Sequence, residues 1–269
     1  MTSLRIAVCV KPVLDPEAPA QAFRIDPERN RPDGEGVPLV LDSYAAHALE
    51  VGLQVRARHP GSTLTVFCVG DDTADEVLRQ CYALTCDRAV RCWDPGWADL
   101  DGLRIAHILA RMIESEGGAD LVLCGREAAD IEEGLVPTAL AEELGAACLT
   151  LVEKVDLDAG AREVQVTRTA GGRALTLAAP LPAVLSVTST RDNVLRMPTV
   201  RDRMLAHRKK PQVLEAASLT LEAERLAVGA RLAALAPVAS DRTCRFIEGP
   251  DAAAVADRLI AALQEGKLI

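Results

Sequence analysis

The residues best placed to do chemistry in this 269-residue chain lie in one acidic loop, GREAADIEEGLVPTALAEELG, residues 125–145. The sequence predicts the end of a strand, then Asp130, Glu132 and Glu133, and then a helix that opens at Pro137. A helix N-terminus offers unpaired N–H groups and about half a positive charge, so it commonly receives a phosphate. Carboxylates at that point would repel an anion or replace it by capping the helix themselves.

Motifs of the common catalytic sites are missing from the sequence. It contains no GxGxxG, GxxxxGK[ST], GxSxG or HExxH. The four histidines, His47, His59, His107 and His207, are scattered over predicted helices and a loop, where a single histidine usually packs or faces solvent. We therefore predict no catalytic residue and no metal site, and a protein that holds a ligand rather than one whose side chains react.

Composition restricts the class of protein. Hydrophobic residues make up 49% and charged residues 26%, which is ordinary for a soluble globular chain. The formal charge of −9 opposes binding along a phosphate backbone, so a nucleic-acid partner is not expected. The apolar run before Lys11 is too short for a signal peptide, and no later run approaches the roughly 18 residues of a membrane span. We expect a cytoplasmic protein without membrane insertion.

The eight cysteines favour buried free thiols over disulfides. Cys9, Cys68 and Cys124 each lie in or at the end of an apolar run, where free cysteine acts as a small hydrophobe. No CxxC pair is present, and Cys81 and Cys86 are five residues apart, off any one helix face. A metal or redox role is the less favoured alternative.

Short apolar runs alternate with amphipathic stretches over the first 150 residues. The predicted strands are LRIAVCV, STLTVFCVG, RAVRC and ADLVLCG, and the predicted helices are SYAAHALEVGLQVRAR, TADEVLRQCYAL and DLDGLRIAHILARMIESEG. This alternation predicts an α/β fold, a twisted parallel sheet with helices on both faces, Rossmann-like. Ligands of such sheets bind beyond the carboxyl ends of the strands, which places Lys11–Asp15, Gly70–Asp72 and Gly125–Val136 on one rim.

The pattern changes after about residue 150. AREVQVTRTAGGRALTLAAPLPAVLSV holds three strand-like runs, with a hairpin turn at Gly171–Gly172, and predicts a small antiparallel addition. A basic segment, Arg191–Gln212, follows, and then a weakly patterned run, Leu214–Pro250. The last stretch, DAAAVADRLIAALQEGKLI, predicts a closing amphipathic helix. We divide the chain into a core (1–150), an addition with the basic segment (151–212) and a C-terminal arm (213–269) that lies along a partner.

Several ordered blocks resemble a known family over nearly the whole chain. VCVKPVLDP, LDSYAAHALEVGLQVR, TVFCVGDDTADEVLRQCYALTCDRAV, DLVLCGREAAD and PLPAVLSVTSTRDNVLRMPTVRDRMLAHRKK resemble, in order and spacing, the β subunit of electron transfer flavoprotein, the FixA family. The resemblance implies pairing with an α subunit that carries FAD. It also implies an adenine-nucleotide-binding type of fold, AMP or a second FAD in this chain, and an arm that wraps the α subunit.

The resemblance also implies site residues, and the chain departs from the family at some of them. The family usually has Asn-Pro where Asp42-Ser43 stand, and phosphate-holding Gln and Thr near Glu133 to Val136, so this is a divergent member. Leu135 and Val136 cannot donate side-chain hydrogen bonds, whereas Gly134 allows close approach of a ligand to the backbone. The implied cofactor-binding residues are Val10, Lys11, Asp15, Asp42, Val69, Gly70, Gly125, Arg126, Asp130, Gly134, Leu135 and Val136.

Plainer roles are open for several of these residues. Lys11 would neutralise a phosphate or remain a solvated strand end. Asp15 and Asp130 would contact a ribose or order their loops, and the loop at Gly70 would face the adenosine or simply cap the next helix at Asp71.

The start of the basic segment corresponds to the family's recognition loop for partner dehydrogenases. Leu195, Arg196 and Met197 are the implied partner contacts. The expected anchor region carries the polar residues 190–192, so a dedicated dehydrogenase rather than a standard acyl-CoA dehydrogenase is expected as the redox partner.

The sequence thus predicts an electron-carrier subunit, not an enzyme, that helps relay electrons between a dehydrogenase and a downstream acceptor. Two alternatives stay open: a stand-alone adenine-nucleotide-binding α/β protein, and a structural subunit that has lost its nucleotide.

Overall fold

The computed structural model describes residues 3–26, 31–34, 36–227, 229–230, 232–236 and 244–269. The chain divides into two compact units, one up to Ala233 and one from Ala234 to Ile269. No helix among the described residues is long and apolar enough to cross a membrane.

The first unit contains fourteen strands and six α-helices among its described residues. The strands are β1 (Arg5–Cys9), β2 (Pro12–Leu14), β3 (Arg24–Asp26), β4 (Arg31–Asp33), β5 (Leu39–Leu41), β6 (Thr63–Val69), β7 (Arg88–Trp93), β8 (Leu121–Gly125), β9 (Ala147–Val152), β10 (Lys154–Asp158), β11 (Glu163–Ala170), β12 (Arg173–Pro180), β13 (Ala183–Val187) and β14 (Gln212–Glu215). The helices are α1 (Ser43–Arg58), α2 (Asp75–Ala83), α3 (Gly102–Ser115), α4 (Val136–Glu143), α5 (Val200–Ala206) and α6 (Ala223–Leu226).

Seven parallel strands form the main sheet, in the order β14-β7-β6-β1-β8-β13-β9. From β1 the chain moves outward through β6 to β7, and then returns to place β8 on the other side of β1. The strand order therefore reverses between β1 and β8. The predicted fold class and the four predicted strands of the first 125 residues are confirmed.

Two hydrophobic clusters cover the two faces of this sheet. One contains Leu49 and Leu53 of α1 with Leu78 of α2, and the other contains Ile108 and Met112 of α3. The central strands β1 and β8 are buried on both sides, which explains why their sequences are almost entirely apolar, whereas the edge strands β9 and β14 are partly exposed. The aliphatic core needs little aromatic volume, in keeping with the 3% aromatic content.

The antiparallel addition is a three-stranded sheet, β10-β11-β12. Gly171 and Gly172 join β11 to β12 with φ angles of 56° and 73°, a two-residue turn that confirms the predicted hairpin. The sequence pattern also assigns the run of β13 to this addition, and here the prediction is wrong. The structure places β13 in the main sheet between β8 and β9. All five of its residues are buried, as in a strand covered on both faces.

The first part of the run Leu214–Pro250 packs on the core instead of standing free. β14 pairs with β7 at the edge of the main sheet, and Leu219 is buried in the cluster that contains α3. Arg225 of α6 forms an ion pair with Glu143 at the end of α4. The chain is thus anchored to α3 and α4 as far as residue 226.

The second unit contains one long helix among its described residues, α7 (Ala252–Glu265). Asp251 caps this helix, because its Oδ1 accepts a hydrogen bond from the Ala254 N–H at 2.8 Å. No residue of α7 is buried, and Leu259 and Ile260 are each nearly half exposed. This helix therefore presents apolar side chains that its own unit does not cover.

All eight cysteines are free, and six are buried as predicted. Burial raises the pKa of Cys68 to about 12, and it also raises the pKa of Cys86 to about 12. These thiols stay protonated at neutral pH, as expected of packing residues. Cys148 and Cys244 are exposed.

Candidate ligand-binding site

A cavity of about 190 Å³ opens at the carboxyl ends of β1 and β8, where the strand order reverses. This switch point is where open parallel sheets bind their ligands. Most of the lining is apolar, and α3, α4 and the loop between β8 and α4 supply much of it. The lining residues are Cys9, Val10, Lys11, Asp42, Ala45, Val69, Leu100, Gly102, Ile105, Leu109, Cys124, Gly125, Glu127, Ala128, Ile131, Glu133, Gly134, Leu135, Val136 and Pro137.

Eight of the twelve predicted cofactor-binding residues line this cavity. They are Val10, Lys11, Asp42, Val69, Gly125, Gly134, Leu135 and Val136. The lining includes residues of two predicted loops, Lys11–Asp15 and Gly125–Val136, whereas the loop Gly70–Asp72 contributes only the preceding residue, Val69.

Gly125 is required for the close approach of β8 to the start of α1. A Cβ at this position would lie 2.7 Å from the backbone carbon and Cβ of Tyr44 and 2.8 Å from the nitrogen of Ala45. No side chain fits that space, so β8 ends in glycine where it meets the helix. The same contact fixes one wall of the cavity.

Asp42 ties three segments of the site together. Its Oδ1 caps α1 by accepting from the Ala45 N–H at 2.9 Å, and its Oδ2 accepts from the Ala129 N–H at 2.7 Å. The Asp42 N–H donates to the carbonyl of Lys11 at 3.0 Å. The carboxylate is 1% exposed, so it positions α1 and the acidic loop, and both of its oxygens already have donors.

Lys11 and Asp130 form an ion pair at the rim. The Lys11 Nζ lies 2.8 Å from Oδ1 and 2.6 Å from Oδ2 of Asp130. Both side chains are about one-third or more exposed, so the pair contributes little to stability. The pair does neutralise the one cation among the cavity-lining residues.

The two glutamates of the acidic loop face different surroundings. Glu133 lines the cavity, and its Oε2 lies 3.4 Å from where a Cβ would stand on Gly102, the first residue of α3. Glu132 does not line the cavity and adopts a left-handed φ of 57°. Neither carboxylate caps α4, whose cap position, Leu135, makes no side-chain hydrogen bond.

The remaining predicted residues lie outside the cavity lining. Asp15 orders its own turn by accepting from the Glu17 N–H at 3.0 Å. Arg126 donates to Glu127 at 2.9 Å and lies over the Tyr44 ring, and these partners raise its pKa. Gly70 precedes Asp71, which caps the next turn by accepting from the Thr73 N–H.

Sequence reasoning missed the contribution of α3. Ile105 and Leu109 lie one turn apart on this helix and form an apolar wall, and Gly102 leaves room beside Leu135. The spacing of the two apolar residues in the first half of α3 was the available signal. It did not distinguish a cavity wall from ordinary core packing.

The predicted partner-binding residues have three different environments. Leu195 packs partly buried against the core cluster of α1, whereas Met197 is 79% exposed. Arg196 forms two hydrogen bonds to the Glu50 carboxylate, at 2.9 Å and 2.7 Å. Four further large apolar side chains close to Met197 in sequence are exposed: Val194, Val200, Met204 and Leu205.

Glu50 holds this segment against α1 through a nearly buried carboxylate. Burial by itself raises the pKa of Glu50, but hydrogen bonds from Arg196 and Gln54 outweigh it and leave the pKa below its ordinary value. The ionised form is therefore the stable one in the folded chain.

A doubly wound parallel sheet with a mainly apolar cavity at its switch point defines the class, an open-sheet α/β protein with a candidate ligand site. The family description "Electron transfer flavoprotein domain" matches residues 34–219. The chain belongs to this family, as a member of its β-subunit and FixA branch.

Three relatives illustrate the range of the similarity. Electron transfer flavoprotein subunit beta of Mycobacterium tuberculosis is 32% identical over 198 residues, covering 72% of this chain and 73% of the relative. Protein FixA of Azorhizobium caulinodans is 30% identical, covering 72% and 69%. Caffeyl-CoA reductase-Etf complex subunit CarD of Acetobacterium woodii is 33% identical over 155 residues, 58% of each chain.

Proposed function

We propose that this chain is the β subunit of a heterodimeric electron transfer flavoprotein in the cytoplasm. In this role it holds AMP or a second FAD and helps relay electrons between a dehydrogenase and a downstream acceptor. The observation that carries the proposal is the cavity at the switch point of the sheet, in a chain of this family. Flavin would supply the redox chemistry, and protein groups would position it.

The cavity suits the nucleoside part of such a ligand. Its walls from Val69, Ile105 and Leu109 offer an apolar surface for a planar ring, and Gly134 brings backbone close to the opening. Pockets that combine apolar walls with a few polar groups are typical of small-molecule sites.

The second unit supports the proposal of an α-subunit partner. Leu259 and Ile260 of α7 are exposed, and Phe246 of the same unit is 84% exposed. Apolar side chains that no described residue of their unit covers are typical of surfaces that bind another chain. We propose that this unit is the part of the chain that contacts the α subunit.

The exposed apolar side chains around Met197 support a docking surface for the redox partner. Met197 and Val194 are 79% and 63% exposed, so they replace Leu195 as the proposed anchors. We propose that a dedicated dehydrogenase binds here, because interface energy concentrates in a few such side chains. The relative from Acetobacterium woodii is named as a subunit of a reductase–Etf complex.

Co-expression with the α subunit tests the proposal. We expect a one-to-one complex by sizing, a flavin absorption spectrum, and adenine nucleotide released on heating. A folded monomer that does not bind the α subunit but releases nucleotide on heating would favour the stand-alone nucleotide-binding protein. A complex with no nucleotide beyond the partner's own FAD would favour a structural subunit.

Electron transfer kinetics test the docking surface. Met197→Ala should slow reduction by the dedicated dehydrogenase severalfold without releasing flavin, since it removes one exposed anchor. Leu175→Ala, an exposed leucine on the small sheet, is the control and should change nothing. Brisk reduction by an ordinary acyl-CoA dehydrogenase that both variants leave unchanged would contradict the docking proposal.

A further inference from the structure

The charged groups that line the cavity are three carboxylates and one ammonium group. They are Asp42, Glu127, Glu133 and Lys11. Any ligand that enters the cavity meets this set, so the state of each group determines which charge the cavity accepts.

Three of the four charged groups already have partners. Lys11 pairs with Asp130, Asp42 accepts from two backbone N–H groups, and Glu127 pairs with Arg126. Each arrangement satisfies the charge locally. Neither Lys11 nor Arg126 is therefore held ready for an incoming anion.

Glu133 is different, because it forms no hydrogen bond or ion pair with any residue that the structure describes. Its Oε2 and the side chain of Leu135 both lie next to Gly102, the first residue of α3. An anion entering beside it meets an uncompensated like charge, whereas hydroxyl or amino groups would find an acceptor.

We infer that the cavity takes the uncharged nucleoside end of its ligand and holds the phosphate outside, with Glu133 as the residue that sets this preference. The inference rests on the proposed nucleotide site and adds two points: the orientation of the ligand in the cavity and the preference for an uncharged group over a phosphate. A carboxylate that accepts from ribose hydroxyls is an established way for an α/β sheet to recognise a nucleoside.

Calorimetry of the full-length chain with adenosine and AMP tests the inference. The wild type should bind adenosine within about threefold of AMP, since the phosphate gains no favourable contact in the cavity. Glu133→Gln should tighten AMP about three- to tenfold, the effect of removing one nearby like charge from an exposed residue at the cavity lining. The same change should leave adenosine affinity within about twofold.

Glu132→Gln is the matched control. It removes the same charge from the neighbouring residue, which does not line the cavity. It should leave both affinities unchanged. If the wild type binds AMP more than tenfold more tightly than adenosine, the inference is overturned, but the proposed nucleotide site is still supported. Equal tightening of AMP by the two variants would also overturn it. Failure of both ligands to bind would instead overturn the nucleotide site itself, and the inference with it.

Discussion

At the scale of single residues, Gly125 is a position in the candidate site where the packing leaves no room for any side chain. Gly125→Ala should destabilise the protein by about 3 kcal/mol, because the new Cβ would overlap the backbone of Tyr44 and Ala45 rather than a movable side chain. Urea unfolding followed by circular dichroism measures the loss.

Gly160→Ala is the control for this substitution. Gly160 is exposed, and a Cβ there would meet only the Asp158 carboxylate, at 3.3 Å. Its cost should stay within about 0.5 kcal/mol. Equal costs for the two variants would show that β8 and α1 can move apart, and that Gly125 does not fix the cavity wall.

Glu50 provides a second test at the residue scale. Glu50→Gln should lower the free energy of unfolding by about 1–2 kcal/mol at neutral pH, because it weakens two charged hydrogen bonds to a half-exposed Arg196. Glu76→Gln, which breaks the exposed pair with Arg79, is the control and should cost within about 0.5 kcal/mol.

The pH dependence of this effect has a definite sign. The pKa of Glu50 is lower in the folded chain than the ordinary value of 4.5, so its contribution is fully present above 4.5. It is lost as the pH falls through the folded pKa. Wild type and Glu50→Gln should therefore converge in stability below pH 4.5, and a difference that does not change with pH would rule out this carboxylate as its source.

At the scale of elements, the turn between β11 and β12 can be tested without disturbing the core. Gly171 has a φ of 56° and no atom within 4 Å of where its Cβ would stand, so any cost of substitution is conformational. Gly171→Val should cost about 1–2 kcal/mol, whereas Gly171→Asn should cost about 0.5 kcal/mol or less, since Asn tolerates this region. Thermal unfolding of both variants decides, and equal costs would mean that the turn relaxes to another form.

The strands and helices differ in how well the sequence predicts them. β1 and β8 are almost entirely apolar, and β6 and β7 are short, mainly apolar runs interrupted by threonine or arginine. α1 extends over Ser43–Arg58 as predicted, and Asp42 caps its start. The position of β13 was not predictable in the same way. Its run follows two antiparallel strands directly, and its pairing with β8 and β9, together with its complete burial, shows that it lies in the main sheet.

The candidate site was predictable as a rim but not as a set of contacts. Parallel topology places the ends of β1, β6 and β8 together, which is a general property of the fold. Which carboxylate faces the cavity depends on backbone conformation, such as the left-handed φ of Glu132, and the residue types do not reveal it. Likewise, no local pattern distinguishes the partly buried Leu195 from the exposed Met197.

At the scale of the whole molecule, the two units differ in how completely they bury their own apolar side chains. The first unit covers both faces of its sheet and holds the chain as far as α6, where Arg104 donates to the carbonyl of Ala227 at 2.8 Å. The second unit leaves the apolar residues of α7 uncovered. The segment that we propose for contact with the α subunit is therefore shorter than the predicted arm, 213–269, and begins after the anchored residues.

The last prediction follows from this uncovered helix. Ile260→Glu should weaken the complex with the α subunit about ten- to a hundredfold, because a side chain worth about 1.5–3 kcal/mol when buried would be replaced by a charge. Gln264→Glu adds the same charge at another exposed position of α7 and should leave the affinity unchanged. Sedimentation or sizing of the co-expressed subunits at decreasing concentration measures both variants. If Ile260→Glu dissociates no more readily than Gln264→Glu, the α subunit does not bind through this face.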